Sequence, residues 1–197
     1  MFSTLWKPCI RFFIGFTLIC GIVYTGSVTI LSQLIFPDQA NGSLVEKDGV
    51  VVGSTLIGQP FTEDDHLWGR PSRLDTKTFV DEDGTILLYA YGANNAVNDP
   101  SYQKDEESRR AELAKALDLT KEQVPDELVT YSASGLDPEI SVEAAKAQAK
   151  RIADAKGISV PEVNRIIDSC TKGKGFNLFG QERVNVLEVN LKLDNIK

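Results

Sequence analysis

FFIGFTLICGIVYTGSVTILSQLIF, residues 12–36, is 25 residues without a formal charge and rich in Phe, Ile, Leu, Val, Thr and Gly. Wound as an α-helix it reaches roughly 37 Å, enough to cross a hydrocarbon layer of about 30 Å with some tilt. The flanks are asymmetric. Lys7 and Arg11 precede the run, whereas Asp38 and Glu46 are the first charges after it. Positive flanks stay in the cytoplasm, so the expected topology is amino terminus in and main domain out. The competing reading is a cleaved signal peptide, with Phe12 to Tyr24 as its apolar region and Thr25-Gly26-Ser27 as a weak cleavage site. A retained anchor is favoured because the run continues through Val28, Ile30, Leu31, Leu34, Ile35 and Phe36.

Beyond Pro37 the composition changes character. All 28 Asp and Glu lie there with 19 of the 21 Lys and Arg, a formal charge of −9 for that part. Such a balance excludes a basic groove for nucleic acid. The division expected is a short cytoplasmic segment at 1–11, a transmembrane helix at 12–36 and one soluble extracytoplasmic domain at 37–197. Cys9 and Cys20 belong to the apolar end, leaving Cys170 alone in the soluble part, so neither a disulfide framework nor a zinc spacing is present.

Within the apolar run Thr17, Gly21, Thr25 and Thr29 recur every fourth residue, a stripe of small side chains against which another membrane helix can pack closely. The soluble part reads as one α+β domain following a single N-terminal transmembrane helix. Val50–Val52 and Leu56-Ile57 suggest an early strand or two, and Lys77 to Gly84, with the acidic run Asp81-Glu82-Asp83-Gly84, a turn or surface loop. Asp99-Pro100 resembles a helix start running to about Leu117, with Leu113, Ala116 and Leu117 inward. Ser141 caps a helix to about Lys156, with Ala145, Ala149, Ile152 and Ala153 as its apolar face and Gly157 as its end. Ser159 and Glu162 have capping-box spacing before the stripe Val163, Ile166, Ile167 and Cys170. Leu128 to Tyr131 reads as a strand entering a polar turn. Val184 to Leu193, with Leu187, Val189, Leu191 and Leu193 alternating with polar residues, reads as the clearest strand.

Catalytic chemistry finds little to work with. The single histidine, His66, stands beside Asp64 and Asp65 and reads as solvated surface; a metal centre needs three or four converging ligands. No nucleophile elbow and no phosphate loop is present, and Lys172-Gly173-Lys174-Gly175 fits neither nucleotide fingerprint. Carboxylates are plentiful enough that a membrane-anchored extracellular carboxylate-based hydrolase stands as the alternative function. Three ordered-looking clusters remain: Leu56 to Phe61, with Gln59 and Phe61, then His66 to Ser72, with Trp68-Gly69-Arg70-Pro71-Ser72; Leu128 to Pro138, with Ser134-Gly135-Leu136-Asp137-Pro138; and Gln181 to Asn190, with Arg183, Asn185 and Glu188. Trp and Arg are the residue types that anchor interfaces.

Leu56 to Phe61, Trp68 to Ser72, Ser134 to Pro138 and Arg183 to Glu188, following a membrane helix in that order, resemble the C subunits of bacterial Kdp potassium-transporting P-type ATPases. The resemblance covers nearly the whole chain. It implies a non-catalytic subunit of an ATP-driven, high-affinity potassium importer in the bacterial plasma membrane. Its partners would be a catalytic P-type ATPase subunit and a potassium-channel-like subunit, with lipid around the helix. The resemblance further implies a chaperone-like role that assembles the complex and raises ATP affinity of the catalytic subunit; ATP then belongs to the complex, and no cofactor or metal is expected on this chain. The phosphorylated aspartate would lie on another chain, in keeping with the lack of a D-K-T-G-T motif here. Departures are local: Gly92-Ala93-Asn94-Asn95-Ala96 replaces the usual G-S-N-L-G, the Asp75 to Leu88 loop is longer and more acidic, and Glu139 stands where a histidine often follows the turn.

Overall fold

The computed structural model describes residues 2–96, 98–176 and 178–195; Met1 of the expected N-terminal segment and residues 196–197 of the soluble one lie outside them. The chain divides into two compact units, 1–52 and 53–197.

The first unit is dominated by one long helical run. Helix α1 (Phe2–Phe16) leads through a π-helical stretch, Thr17–Tyr24, into α2 (Thr25–Ile35). Over Leu5–Ile35 this run is long and apolar enough to cross a membrane, with none of its side chains buried. An apolar surface all round a helix suits lipid rather than water. In the π stretch the backbone bonds shift to i→i+5, and the Thr25 hydroxyl donates to the Cys20 carbonyl, five residues back, at 2.9 Å. Thr17 and Gly21 therefore lie on π-helical and Thr25 and Thr29 on α-helical backbone, so the small-residue stripe does not keep one regular angular step. A short helix α3 (Pro37–Ala40) and strand β1 (Leu44–Lys47), paired with β2 (Val50–Ser54), follow.

The second unit is a mixed helix and small-sheet domain. Its sheet has β7 (Arg183–Asn185) between β5 (Glu139–Ser141) and β6 (Thr171–Lys172), antiparallel to both, with Val184 opposite Ile140 on one side and Thr171 on the other. Helices α5 (Val142–Ala147), α6 (Ala149–Lys156), α7 (Val160–Ser169) and α8 (Val186–Asp194) supply most of the core. Leu67, Ile140, Ile152, Ile167 and Leu193 are fully enclosed, each stabilising by about 2–3 kcal/mol relative to exposure. A satellite cluster of Ala114, Val124 and Val129 sits under α4 (Pro100–Leu117). A separate two-stranded ribbon pairs β3 (Leu74–Asp75) with β4 (Tyr89–Ala90).

Several expectations hold. Asp99 caps α4 by accepting from the Ser101 amide, and Pro100 is its first residue. Ser141 caps α5 through the Ala144 amide at 3.1 Å, and Gly157 ends α6 at φ +68°. Others need correction. Val186 to Leu193 is helix, not strand. The segment carries both periods, and the helical one wins because Val186, Leu187, Val189, Asn190 and Leu193 are its buried set, at helical spacing, while Leu191 is only half-buried. Asn185 starts that helix by accepting the Glu188 amide at 3.0 Å. Leu56 and Ile57 are an exposed turn rather than a strand. Leu128 ends a 3₁₀ turn (Asp126–Leu128), and the carbonyl of Asp126 accepts from both Val129 and Thr130, so no strand forms there. Ala114, not Ala116, joins Leu117 inside α4. The Ser141 helix is two helices offset at Gln148, and the Ser159 side chain makes no cap bond.

Candidate functional site

The motif segments picked out in the sequence converge on one junction of the soluble domain. Gly58 donates its amide to the Leu136 carbonyl at 2.9 Å, and Val186 donates to the Pro138 carbonyl at 3.0 Å. The Arg70 guanidinium reaches the Asp137 carboxylate at 3.1 Å and the carbonyls of Tyr131 at 2.9 Å and Thr130 at 3.3 Å. Gly69 lies against Val186, where an added Cβ would come 3.5 Å from its side chain. The Asn185 amide group donates to the Thr55 carbonyl at 2.9 Å. All four motifs are thereby tied through the Gly135-Leu136-Asp137-Pro138 turn. Arg183 pairs with Glu139 at 2.8 Å and Glu188 with Lys172 at 2.9 Å, both on the neighbouring sheet.

The turn itself is built on Ser132 and Ser134. Their hydroxyls accept from the amides of Gly135 and Leu136, respectively. Such side-chain-to-backbone bonds fix a polar turn that has no ladder partner. Asn94 does not join the junction; it takes a left-handed φ of +48°, and its neighbour Asn95 accepts from Arg73 at 2.8 Å. Thr17, Gly21, Thr25 and Thr29 belong to the helical unit.

Two buried amides hold the Trp68 segment: Asn190, the end of the third sequence cluster, and Gln148, which the sequence did not single out. Asn190 accepts from the Leu67 amide at 2.7 Å and donates to the Leu67 carbonyl at 3.0 Å. Gln148 does the same for Trp68, at 2.9 Å both ways. Two successive residues are thus gripped by amide side chains that imitate neighbouring strands. Gln148 falls on the apolar face between Ala145 and Ile152, so a polar residue at a core position was the available signal. Arg151 completes the arrangement. Its guanidinium lies 3.6 Å from the Trp68 ring centroid and donates to the carbonyls of Glu63, Asp64 and His66. Burial pushes its pKa down to about 10, against the pull of Asp64 and Asp65.

His66 is not the solvated residue expected. Its ring bridges Asp65 at 2.8 Å and Asp194 at 2.9 Å, is only 18% exposed and stacks on Phe61. Burial pushes the Asp65 carboxyl up, but the Lys156 ammonium at 3.2 Å and the neighbouring His66 outweigh it, so its pKa lies below the usual carboxylate range. The resulting stability is present above the unfolded pKa of about 4 and is lost as pH falls through the folded value. Lys156→Met is therefore expected to flatten the acid limb of the stability curve below about pH 4, read by urea unfolding across pH; an unchanged acid limb would rule out this coupling.

Beside the junction lies a cleft of about 400 Å³ lined by Gln59, Phe61, Trp68, Arg70, Pro71 and Ser72 on one side and by α4 on the other. Its walls are mainly apolar. Both of its arginines are already engaged, Arg70 as above and Arg109 with the Val129 carbonyl and the Tyr131 hydroxyl. No group of three His, Cys, Asp or Glu side chains able to hold a metal ion occurs among the described residues. Ser72 shares the cleft with no histidine, since His66 is held between carboxylates. The geometry is that of a latched junction beside a mainly apolar cleft.

A membrane-length helix carrying one α+β domain, with its motifs spent on internal latching, is the class of protein this structure defines. Residues 6–195 match the family described as KdpC, the c chain of K⁺-transporting ATPase. Among curated relatives, the potassium-transporting ATPase KdpC subunit of Clostridium botulinum (strain Alaska E43 / Type E3) is 44% identical over 99% of this chain and 98% of its own length. That of Clostridium perfringens (strain ATCC 13124) is 45% identical over 92% of each chain, and that of Methylococcus capsulatus 43% identical over 97% of each. The chain belongs to the KdpC family of K⁺-transporting ATPase c chains.

Proposed function

We propose that this chain is the non-catalytic C subunit of a Kdp-type potassium import pump, which assembles or stabilises the complex and raises the ATP affinity of its catalytic subunit. The observation that carries the reading is the family match over residues 6–195, which takes in the helix and all four motifs. The latched junction supports it, because Arg70, Asp137 and Asn185 are used there to fix shape, as suits an assembly factor. The partners are a catalytic P-type ATPase subunit, which carries the phosphorylated aspartate, and a potassium-channel-like subunit. ATP associates with the complex. The Leu5–Ile35 helix packs in lipid against partner helices through the face bearing Gly21, where an added Cβ meets nothing within 4 Å. Lys7 and Arg11 on the N-terminal flank orient it with the soluble domain outside the cytoplasm. Any influence on ATP affinity then passes through the membrane helices.

The test is a mild-detergent pull-down of the tagged chain from its native membrane, with mass-spectrometric identification and a potassium-stimulated ATPase assay. Recovery of a P-type ATPase and a channel-like protein, with activity lost on deletion of this chain, is the expected result. Recovery of the chain alone would overturn the proposal.

A further inference from the structure

The ribbon that runs from Leu74 to Tyr91 is built unlike the rest of the domain. Beyond the β3–β4 pairing, Val80 bridges Ile86, Leu87 donates to the Phe79 carbonyl and Asp81 donates to the Thr85 carbonyl, so the two arms continue antiparallel to a tight tip. Asp75 fixes the widening between the arms by accepting from the amides of Lys77 and Thr78 and from the Thr78 hydroxyl. Alternation along an extended arm then sorts the side chains into two faces. Phe79, Leu87 and Tyr89 share one, with the Phe79 and Tyr89 rings 5.3 Å apart. Val80, Ile86 and Leu88 occupy the other. All six are 47–66% exposed.

A strand that is half-buried alternates apolar with polar residues, whereas a nearly continuous apolar run marks a strand covered on both faces. Thr85-Ile86-Leu87-Leu88-Tyr89-Ala90-Tyr91 is such a run, yet both faces of its ribbon are open. The uncovered apolar area amounts to several hundred Å², on the order of the largest patch a soluble monomer shows. Charge decides what covers it. The tip carries Asp81, Glu82 and Asp83 beside the apolar residues. An anionic lipid surface would repel that tip, and a flat surface would cover one face only. A protein groove with a basic rim satisfies both faces and the tip.

We propose that the 74–91 ribbon is a docking finger that inserts both apolar faces into an apolar, basic-rimmed groove of another subunit of the same pump. This inference rests on the subunit reading and names the surface through which assembly occurs. In the native membrane, p-benzoylphenylalanine placed at Leu88 for one face and at Leu87 for the other should photo-cross-link to the P-type ATPase or channel-like subunit from both positions. Ile86→Ser with Leu88→Ser, and separately Glu82→Gln with Asp83→Asn, should each lower the co-purified ATPase about ten-fold, a loss of about 1.4 kcal/mol of docking energy. Their urea midpoints should match the wild type, because these side chains are exposed. Cross-links to lipid, to a second copy of this chain or to nothing, while the wild-type chain still brings down the ATPase, would overturn the finger alone. A wild-type chain that recovers no ATPase would overturn the subunit reading and the finger with it.

Discussion

Gly135→Ala is expected to destabilise the soluble domain by about 3 kcal/mol or more. Two independent costs meet at this position. The backbone holds φ at +77°, a region that L side chains enter only with strain. An added Cβ would also stand 2.6 Å from the Tyr91 carbonyl oxygen and 3.1 Å from that of Arg73. Both obstacles are backbone atoms, and both are tied down: Arg73 donates to the Gly135 carbonyl at 2.9 Å, and Tyr91 donates to the Arg73 carbonyl at 3.4 Å. Relief would have to separate three segments at once. The measurement is urea unfolding of the full chain in mild detergent, followed by fluorescence of Trp68 in a Trp6→Phe background. Gly157→Ala is the control, since its φ of +68° carries the same conformational strain with nothing within 4 Å of the new Cβ. It should cost about 1 kcal/mol. Equal losses in the two variants would mean that the junction is not packed as described.

The contrast between these glycines also shows what could be read in the sequence and what could not. The membrane-length helix was legible because an uncharged run of that length has few alternatives, and the α4 and α5 starts because Asp99 and Ser141 are strong local signals. Local signals fail where two periods fit the same residues. In 186–193, Leu187, Val189 and Leu193 belong to both the alternating and the helical set, and the burial of Val186 and Asn190, with Leu191 only half-buried, separates them. That burial is a tertiary fact: Asn190 meets Leu67 and Val186 meets Gly69, both more than 115 residues away in sequence. The four motifs were recognisable as ordered clusters, but their convergence on Gly135 to Pro138 depends on backbone bonds to Gly58, Arg73 and Val186 that no spacing rule encodes. Gln148 and Arg151 were overlooked for the same reason. Gln148 interrupts an apolar face, but the partner that explains it, Trp68, lies 80 residues away in sequence.

Asn190→Leu is expected to cost about 3 kcal/mol, because it leaves the Leu67 amide and carbonyl buried with no partner. Leu67 and Asn190 are both essentially inaccessible, at 0% and 1% exposure, so water cannot replace the lost bonds. The added apolar contact of leucine recovers only part of the loss. Asn190→Asp separates the two halves of the grip. Its carboxyl still accepts from the Leu67 amide, but it can donate to the Leu67 carbonyl only while protonated. Burial and that carbonyl together raise its folded pKa above the unfolded value. Its stabilising contribution is then fully present below the unfolded pKa and is lost as pH rises through the folded one. Asn190→Asp should therefore approach the wild type in mild acid and fall to the level of Asn190→Leu or below it at neutral pH, as read by urea midpoints at a series of pH values. Asn190→Leu should show no such convergence, since it has no proton to gain. If both variants unfold at the wild-type midpoint at neutral pH, Asn190 is not gripping Leu67, and the Trp68 segment with its Arg70 latch is held by Gln148 and Arg151 alone.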